Sequence, residues 1–312
     1  MSYIAIHDSE AEHFKHKAKF PNYALMKISA YHKALGDEVV WFYPMEAHLY
    51  DKVYSSKVFD WTPENQYLPD HTIKGGTGYG IYDDLPPEID ACFPDYSIYP
   101  ECDYAIGFLT RGCIRKCRWC VVPKKEGYIH PYRTWQDIVR PDTKKLTLMD
   151  NNILACEYGI AQLEELSHTD YRLDLNQGMD ARLVTPEIAD ILARCKWQRY
   201  LRFSCDQKSQ IEPIWRVAEL LQERGLPPSK LFVYCLITKD EQDCVDRIDA
   251  MRRFSGIRLY GMPEKNPALG IMPEPWQSHM ANKYLYSGQW RKMDWSEWKE
   301  THQHFLKKET TT

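Results

Sequence analysis

Between residues 104 and 260 six apolar runs, at 104–109, 145–149, 171–175, 200–204, 231–237 and 257–260, alternate with helical apolar patterns at 158–166, 186–194, 211–224 and 241–254. This alternation constrains the fold more than any other feature of the chain. A short, continuously apolar run has both faces to bury, so helices must cover it, and strands joined through helices run parallel. Six such strand-and-helix units predict a partial barrel. In that architecture chemistry sits in the loops after the C-terminal ends of the strands.

The first third of the chain begins with a smaller unit of the same class. An apolar run at 3–7, helical spacing of Leu25, Ile28 and Leu35 within 22–35, and a further run at 38–43 read as strand, helix, strand. Gly36 stands where a left-handed residue would close the helix. Runs at 52–59 and 71–74 add candidate strands, giving a Rossmann-like α/β domain over 1–83. The glycines of GGTGYG at 75–80 do not match the GxGxxG spacing and lack a strand-to-helix context, so the segment reads as a structural loop. Residues 84–103 hold four prolines without helical period, the pattern of an extended linker. The barrel is then expected over 104–275 and a helical, tryptophan-rich tail over 276–312.

Hydrophobic residues at 44% and charged residues at 27% are ordinary for a chain that folds throughout. There is no run of eighteen apolar residues, and MSYIAIHDSE lacks the basic and apolar regions of a secretory signal, so no membrane partner and a cytoplasmic location are expected. The net charge of −4 provides no global attraction to a polyanion, and nucleic-acid contact would need a local basic patch.

Of ten cysteines, seven are scattered: Cys92, Cys102, Cys156, Cys195, Cys205, Cys235 and Cys244. In contexts such as VYCLI they read as small buried hydrophobes. Cys113, Cys117 and Cys120 instead lie together in TRGCIRKCRWC, directly after the first barrel strand. Three soft thiolates suit zinc or an iron-sulfur cluster, but a structural zinc takes four ligands and a four-iron cluster normally takes four cysteines. Cys102 precedes the strand and belongs at its opposite end. An iron left open is the better reading.

The C-x3-C-x2-C spacing after a first strand, with the aromatic Trp119 before the last cysteine, resembles the radical S-adenosylmethionine (SAM) superfamily. The resemblance implies a TIM-like partial (β/α)6 barrel, a 4Fe-4S cluster on Cys113, Cys117 and Cys120, and SAM chelated at the open iron. It also implies reductive cleavage to a 5′-deoxyadenosyl radical that abstracts hydrogen from substrate, with an electron donor such as flavodoxin or ferredoxin. Asp150, Asn151 and Asn152, in LTLMDNN, resemble the turn that meets the methionine amine of SAM, although Asn and Asp also dominate ordinary turns. The ends of the next two strands place Gln177, Asp180, Arg182, Ser204 and Asp206 at the same face. Arg182 suits the SAM carboxylate, and Ser204 or Asp206 the ribose hydroxyls. Lys124 and Lys125 follow the cysteines and suit either cluster charge or a solvated turn.

A Rossmann-like domain before such a barrel is similar to the cobalamin-binding class, but no D-x-H-x-x-G string occurs, so cobalamin is not expected. The extra cysteines of tRNA methylthiotransferases and of peptide-modifying members are missing too. A nucleic-acid base or nucleotide leads among substrates because the tail interleaves Lys283, Arg291, Lys292 and Lys299 with Tyr284, Tyr286, Trp290, Trp295 and Trp298. Packing of those rings on the barrel is the competing expectation. A peptide or small metabolite remains an alternative substrate, and a non-catalytic zinc- or cluster-binding protein an alternative class.

Overall fold

The computed structural model describes residues 1–13, 20–267 and 270–303. The chain divides into two compact units, Met1–Ile106 and Gly107–Thr312, both mixed α/β with parallel sheets. No helix among the described residues is long and apolar enough to cross a membrane.

In the first unit Tyr3–Asp8 is flanked by Glu38–Trp41 on one side and Lys52–Ser56 on the other, with Ile73–Gly75 outermost, all parallel. The helix Tyr23–Ala34 starts where Asn22 Oδ1 accepts from the Leu25 amide at 3.2 Å, and it is followed by Gly36 at φ +82°. Gly76, at φ +101°, lies so close to the Lys57 carbonyl that an added Cβ would stand 2.3 Å from it. The GGTGYG loop is therefore a packed turn.

Residues 84–103 fall inside this unit and are folded against it, with the short helix Pro87–Asp90 and the turn Tyr96–Ile98. Buried Lys27 reaches Asp90 Oδ1 at 3.0 Å, while Ser29 and Lys33 donate to Asp95 Oδ2 at 2.6 and 2.7 Å. Proline content alone had suggested an extended linker. Side chains from the Tyr23–Ala34 helix supply the partners that fold the stretch instead.

In the second unit each predicted strand is present: Ala105–Gly107, at whose end the unit begins, then Lys145–Leu148, Arg172–Leu175, Leu201–Ser204, Leu231–Ile237 and Arg258–Pro263. Helices Glu157–Ser167, Pro186–Arg194, Ile211–Glu223 and Glu241–Ala250 alternate with them. Strand Lys145–Leu148 pairs with Arg172–Leu175, and Leu201–Ser204, Leu231–Ile237 and Arg258–Pro263 form a second sheet in chain order. An isolated parallel bridge pairs Phe203 of the second sheet with Met179, which lies beyond the end of Arg172–Leu175. Two short pieces escaped the sequence reading: Lys196–Trp197, on the edge of Arg172–Leu175, and the antiparallel pair Thr110–Arg111 with His130–Pro131. At two residues each they are too short for a hydrophobic period to register.

The tail is helical over Pro275–His279, Met280–Leu285 and Trp295–Thr301, and residues 304–312 lie outside the described part. Tyr284, Trp290, Trp295 and Trp298 are buried. Of the five tail rings proposed as base-stacking platforms only Tyr286 is exposed, so the others pack the core.

Candidate metal and cofactor site

The cysteine loop is held at its ends. Before it, Asp150 follows strand Lys145–Leu148 and is buried beneath the chain entering the loop. Its Oδ2 accepts from the Leu109 amide at 3.1 Å, and its Oδ1 accepts from the Thr110 amide at 2.5 Å and the Thr110 hydroxyl at 2.7 Å. Burial pushes the Asp150 carboxyl up to about 6 against these three donors. Gly112 takes φ +84° and an added Cβ would lie 2.5 Å from the Tyr128 carbonyl, so only glycine makes the turn into Cys113.

Glu126 closes the other end. Its Oε2 accepts from the Gly112 amide at 2.9 Å and from Asn151 Nδ2 at 2.6 Å, while Oε1 pairs with Arg111 at 2.7 Å. Sequence reasoning weighed Lys124 and Lys125 in this segment and passed over Glu126. The one available signal was a lone acid within a basic loop.

Within the loop the Cys113 amide donates to the Gly127 carbonyl at 3.2 Å and the Cys120 amide to the Cys117 carbonyl at 3.0 Å. The Cys113 sulfur accepts from the Arg115 amide at 3.3 Å and from Asn152 Nδ2 at 3.5 Å. Burial, then the neighbouring Cys113, raises the Cys117 thiol. The Cys120 thiol is also raised, by burial and by both other cysteines, although a contact with the Val122 backbone opposes the rise. A bound cation would reverse the cost of ionising Cys117 and Cys120.

The residues fit a cuboidal cluster in donor chemistry. Among the described residues no three His, Cys, Asp or Glu side chains converge as the shell around a single ion would. A four-iron cluster asks for something different, because each thiolate binds its own iron and the sulfurs stand apart. Asn152, buried beside Cys113, has its Oδ1 without a hydrogen-bond partner. Such an acceptor is costly unless a ligand supplies the donor.

The remaining candidates divide into two groups. Asp180, Arg182 and Asp206 are close enough to Cys117 for their charges to act on it. Asp180 Oδ1 caps the turn Ala181–Leu183 through the Arg182 amide, and Asp180 holds the Arg182 guanidinium by two bonds, at 2.7 and 3.0 Å. Arg115 Nε adds a third at 2.9 Å. Asp206 is half-buried and raised by desolvation, with Oδ1 accepting from the Leu236 amide at 2.9 Å. Ser204 is bonded to Gln210 at 3.4 Å. Gln177 is exposed and reaches only its neighbour Asn176. Asp150 and Asn151 are spent on holding the loop, so of that turn only Asn152 faces a cysteine.

Beside Cys117 lies an open depression of about 660 Å³, walled by Trp119, Asp206, Ser209, Thr238 and Asp240 among others. Trp119 is half-buried with Arg118 over its ring at 5.8 Å, and Arg118 reaches the buried Glu264 at 3.6 Å. Asp206, Thr238 and Glu264 each follow the C-terminal end of a parallel strand, the end at which such sheets carry their ligands.

The fully buried Arg247, also missed in the sequence, ties this rim together. Its guanidinium donates to the carbonyls of Cys205 and Leu236 at 2.7 and 2.8 Å and to Asp243 at 2.7 Å. Cys205, Cys235 and Cys244 are buried around it, as expected of the scattered cysteines. No protein-family model matches this chain, and a search of curated proteins found no matching relative.

Proposed function

We propose that the chain is a radical SAM enzyme, with Cys113, Cys117 and Cys120 holding three irons of a 4Fe-4S cluster and SAM completing the fourth. The observation that carries this reading is the cysteine loop itself: three cysteines within eight residues, in a loop fixed at both ends, beside the C-terminal ends of parallel strands. The alternation of six strands with helices, parallel within each sheet, supports the reading of a partial (β/α)6 barrel. When bound, the cluster and SAM supply a one-electron reductive cleavage that ends in removal of a substrate hydrogen.

The chain's own residues bind and orient. Asn152 offers its unpartnered Oδ1 to an N–H of the amine of SAM. Arg182 keeps Nη1 outside its pair with Asp180, a donor for the carboxylate. Asp206 and Trp119 wall the depression where a nucleoside would lie, with an acceptor for hydroxyls and a ring face. A flavodoxin or ferredoxin would deliver the electron.

The test is anaerobic. The chain is reconstituted with iron and sulfide, reduced with dithionite and given SAM, and 5′-deoxyadenosine is quantified by mass spectrometry beside Cys117→Ala. Release that depends on Cys117 supports the assignment; intact SAM beside an assembled four-iron cluster, with every substrate class supplied, refutes it.

A further inference from the structure

The sheet formed by Leu201–Ser204, Leu231–Ile237 and Arg258–Pro263 has one covered face and one open face. Leu201, Phe203, Leu231, Val233 and Leu259 are buried on the first, and a Cβ added to Gly261 would meet Ala281 of the tail at 2.8 Å. Alternate residues point the other way. They fall in rows across the strands, Arg202 beside Phe232 beside Arg258, then Ser204 beside Tyr234 beside Tyr260.

The rings on this face stack on one another across the strands, with Tyr260 at the exposed end. Tyr200 and Phe232 have centroids 5.5 Å apart at 30°, and Phe232 and Tyr260 are stacked 6.0 Å apart at 28°. Arg199 and Arg258 sit over Tyr200 at 4.9 and 5.2 Å. Tyr260 remains 42% exposed, and Arg199 and Arg258 are exposed as well. Arg202 is neutralised by Asp174 at 2.7 Å. Among the described residues no carboxylate is in ion-pair contact with Arg199 or Arg258, whereas the nearby Arg291 is bonded to the Ile257 carbonyl.

We infer that this face binds single-stranded nucleic acid, with bases stacked on the exposed Tyr260 and phosphates on Arg199 and Arg258. Every base has a π face, so an exposed ring that ends such a stack takes a strand without reading its sequence, and arginine contributes both charge and stacking. A chain of net charge −4 needs a local patch of this kind to hold a polyanion. The third strand of the face runs on to Glu264, which pairs with Arg118 of the cysteine loop. The strand's role as substrate rests on the radical SAM reading; its binding does not.

Fluorescence anisotropy of the full chain as purified, with a short fluorescein-labelled oligonucleotide of mixed sequence as RNA and as DNA, tests the inference. Neutralising two phosphates predicts a slope of about −1.4 for log K against log salt. Tyr260→Ala is expected to weaken binding about tenfold. The double reversal Arg199→Glu with Arg258→Glu, at exposed positions where folding is not at stake, is expected to weaken it at least as much. Absence of binding at low salt, or affinity unchanged by the double reversal, overturns the inference. So does competition by a free mononucleotide at equal concentration, which would mark a nucleotide pocket instead of a strand platform. Binding without 5′-deoxyadenosine formation would leave this face standing and count against the proposed enzyme; the converse would do the reverse.

Discussion

Asp150→Asn separates two physical accounts of the turn beneath the cysteine loop. The carboxyl is wholly buried, and desolvation outweighs three donors, so its folded value rises from the ordinary 3.8 to about 6. An acid raised on folding contributes stability that is complete below its unfolded value and is lost as pH climbs through the folded one. Over the full range that rise is worth about 3 kcal/mol at about 1.4 kcal/mol per tenfold. Most of it, about 2 kcal/mol, falls between about pH 4.5 and 7.5. The amide of the variant cannot titrate, so the stability gap between wild type and variant should narrow by about 2 kcal/mol across that interval, as wild type loses what the variant never had. Urea denaturation of both proteins under reducing conditions at several pH values measures the gap, and exchange of the Leu109 and Thr110 amides localises it. A gap that stays constant would refute the reasoning, because it would mean that the three donors keep Asp150 ionised throughout.

Glu126→Gln removes the charge shared by Arg111, the Gly112 amide and Asn151, a largely buried set, and should cost about 1–3 kcal/mol with faster exchange at Gly112. In the first unit, Asp95 is opposed by burial but held down to about 2 by donors from Lys33, Ser29 and Ser97. Its contribution is present above 3.8 and lost as pH falls toward 2. Screened by solvent it amounts to about 1 kcal/mol, read as a shallower acid transition in Asp95→Asn. Trp290→Ala empties a fully buried position in the tail and should cost about 3–5 kcal/mol in urea denaturation; a loss under about 1 kcal/mol would return the tail aromatics to the surface.

The alternation of apolar runs and helical patterns was sufficient to place every strand of the second unit's two main sheets except Lys196–Trp197, and the helices between them, because burial on both faces leaves a continuous apolar signature. The cysteine loop was legible for a different reason: spacing within one loop is a local property. Asn152 and Asp206 were named from their places after strands, yet the sequence could not say that Asp150 and Asn151 are spent on the loop while Asn152 keeps an empty acceptor. That division depends on which backbone amides the fold brings within reach. Glu126 and Arg247 escaped notice because their partners lie up to 42 residues away in the chain. The open aromatic face escaped it too, since Tyr200, Phe232 and Tyr260 belong to three separate strand segments and only the pairing register sets them on one face. Four of the five tail rings, close together in sequence and conspicuous there, turned inward because large apolar rings gain more from the core than from water. Local spacing was determined by the sequence alone; the tertiary structure decided which distant groups meet, and therefore which polar atoms are left for a ligand.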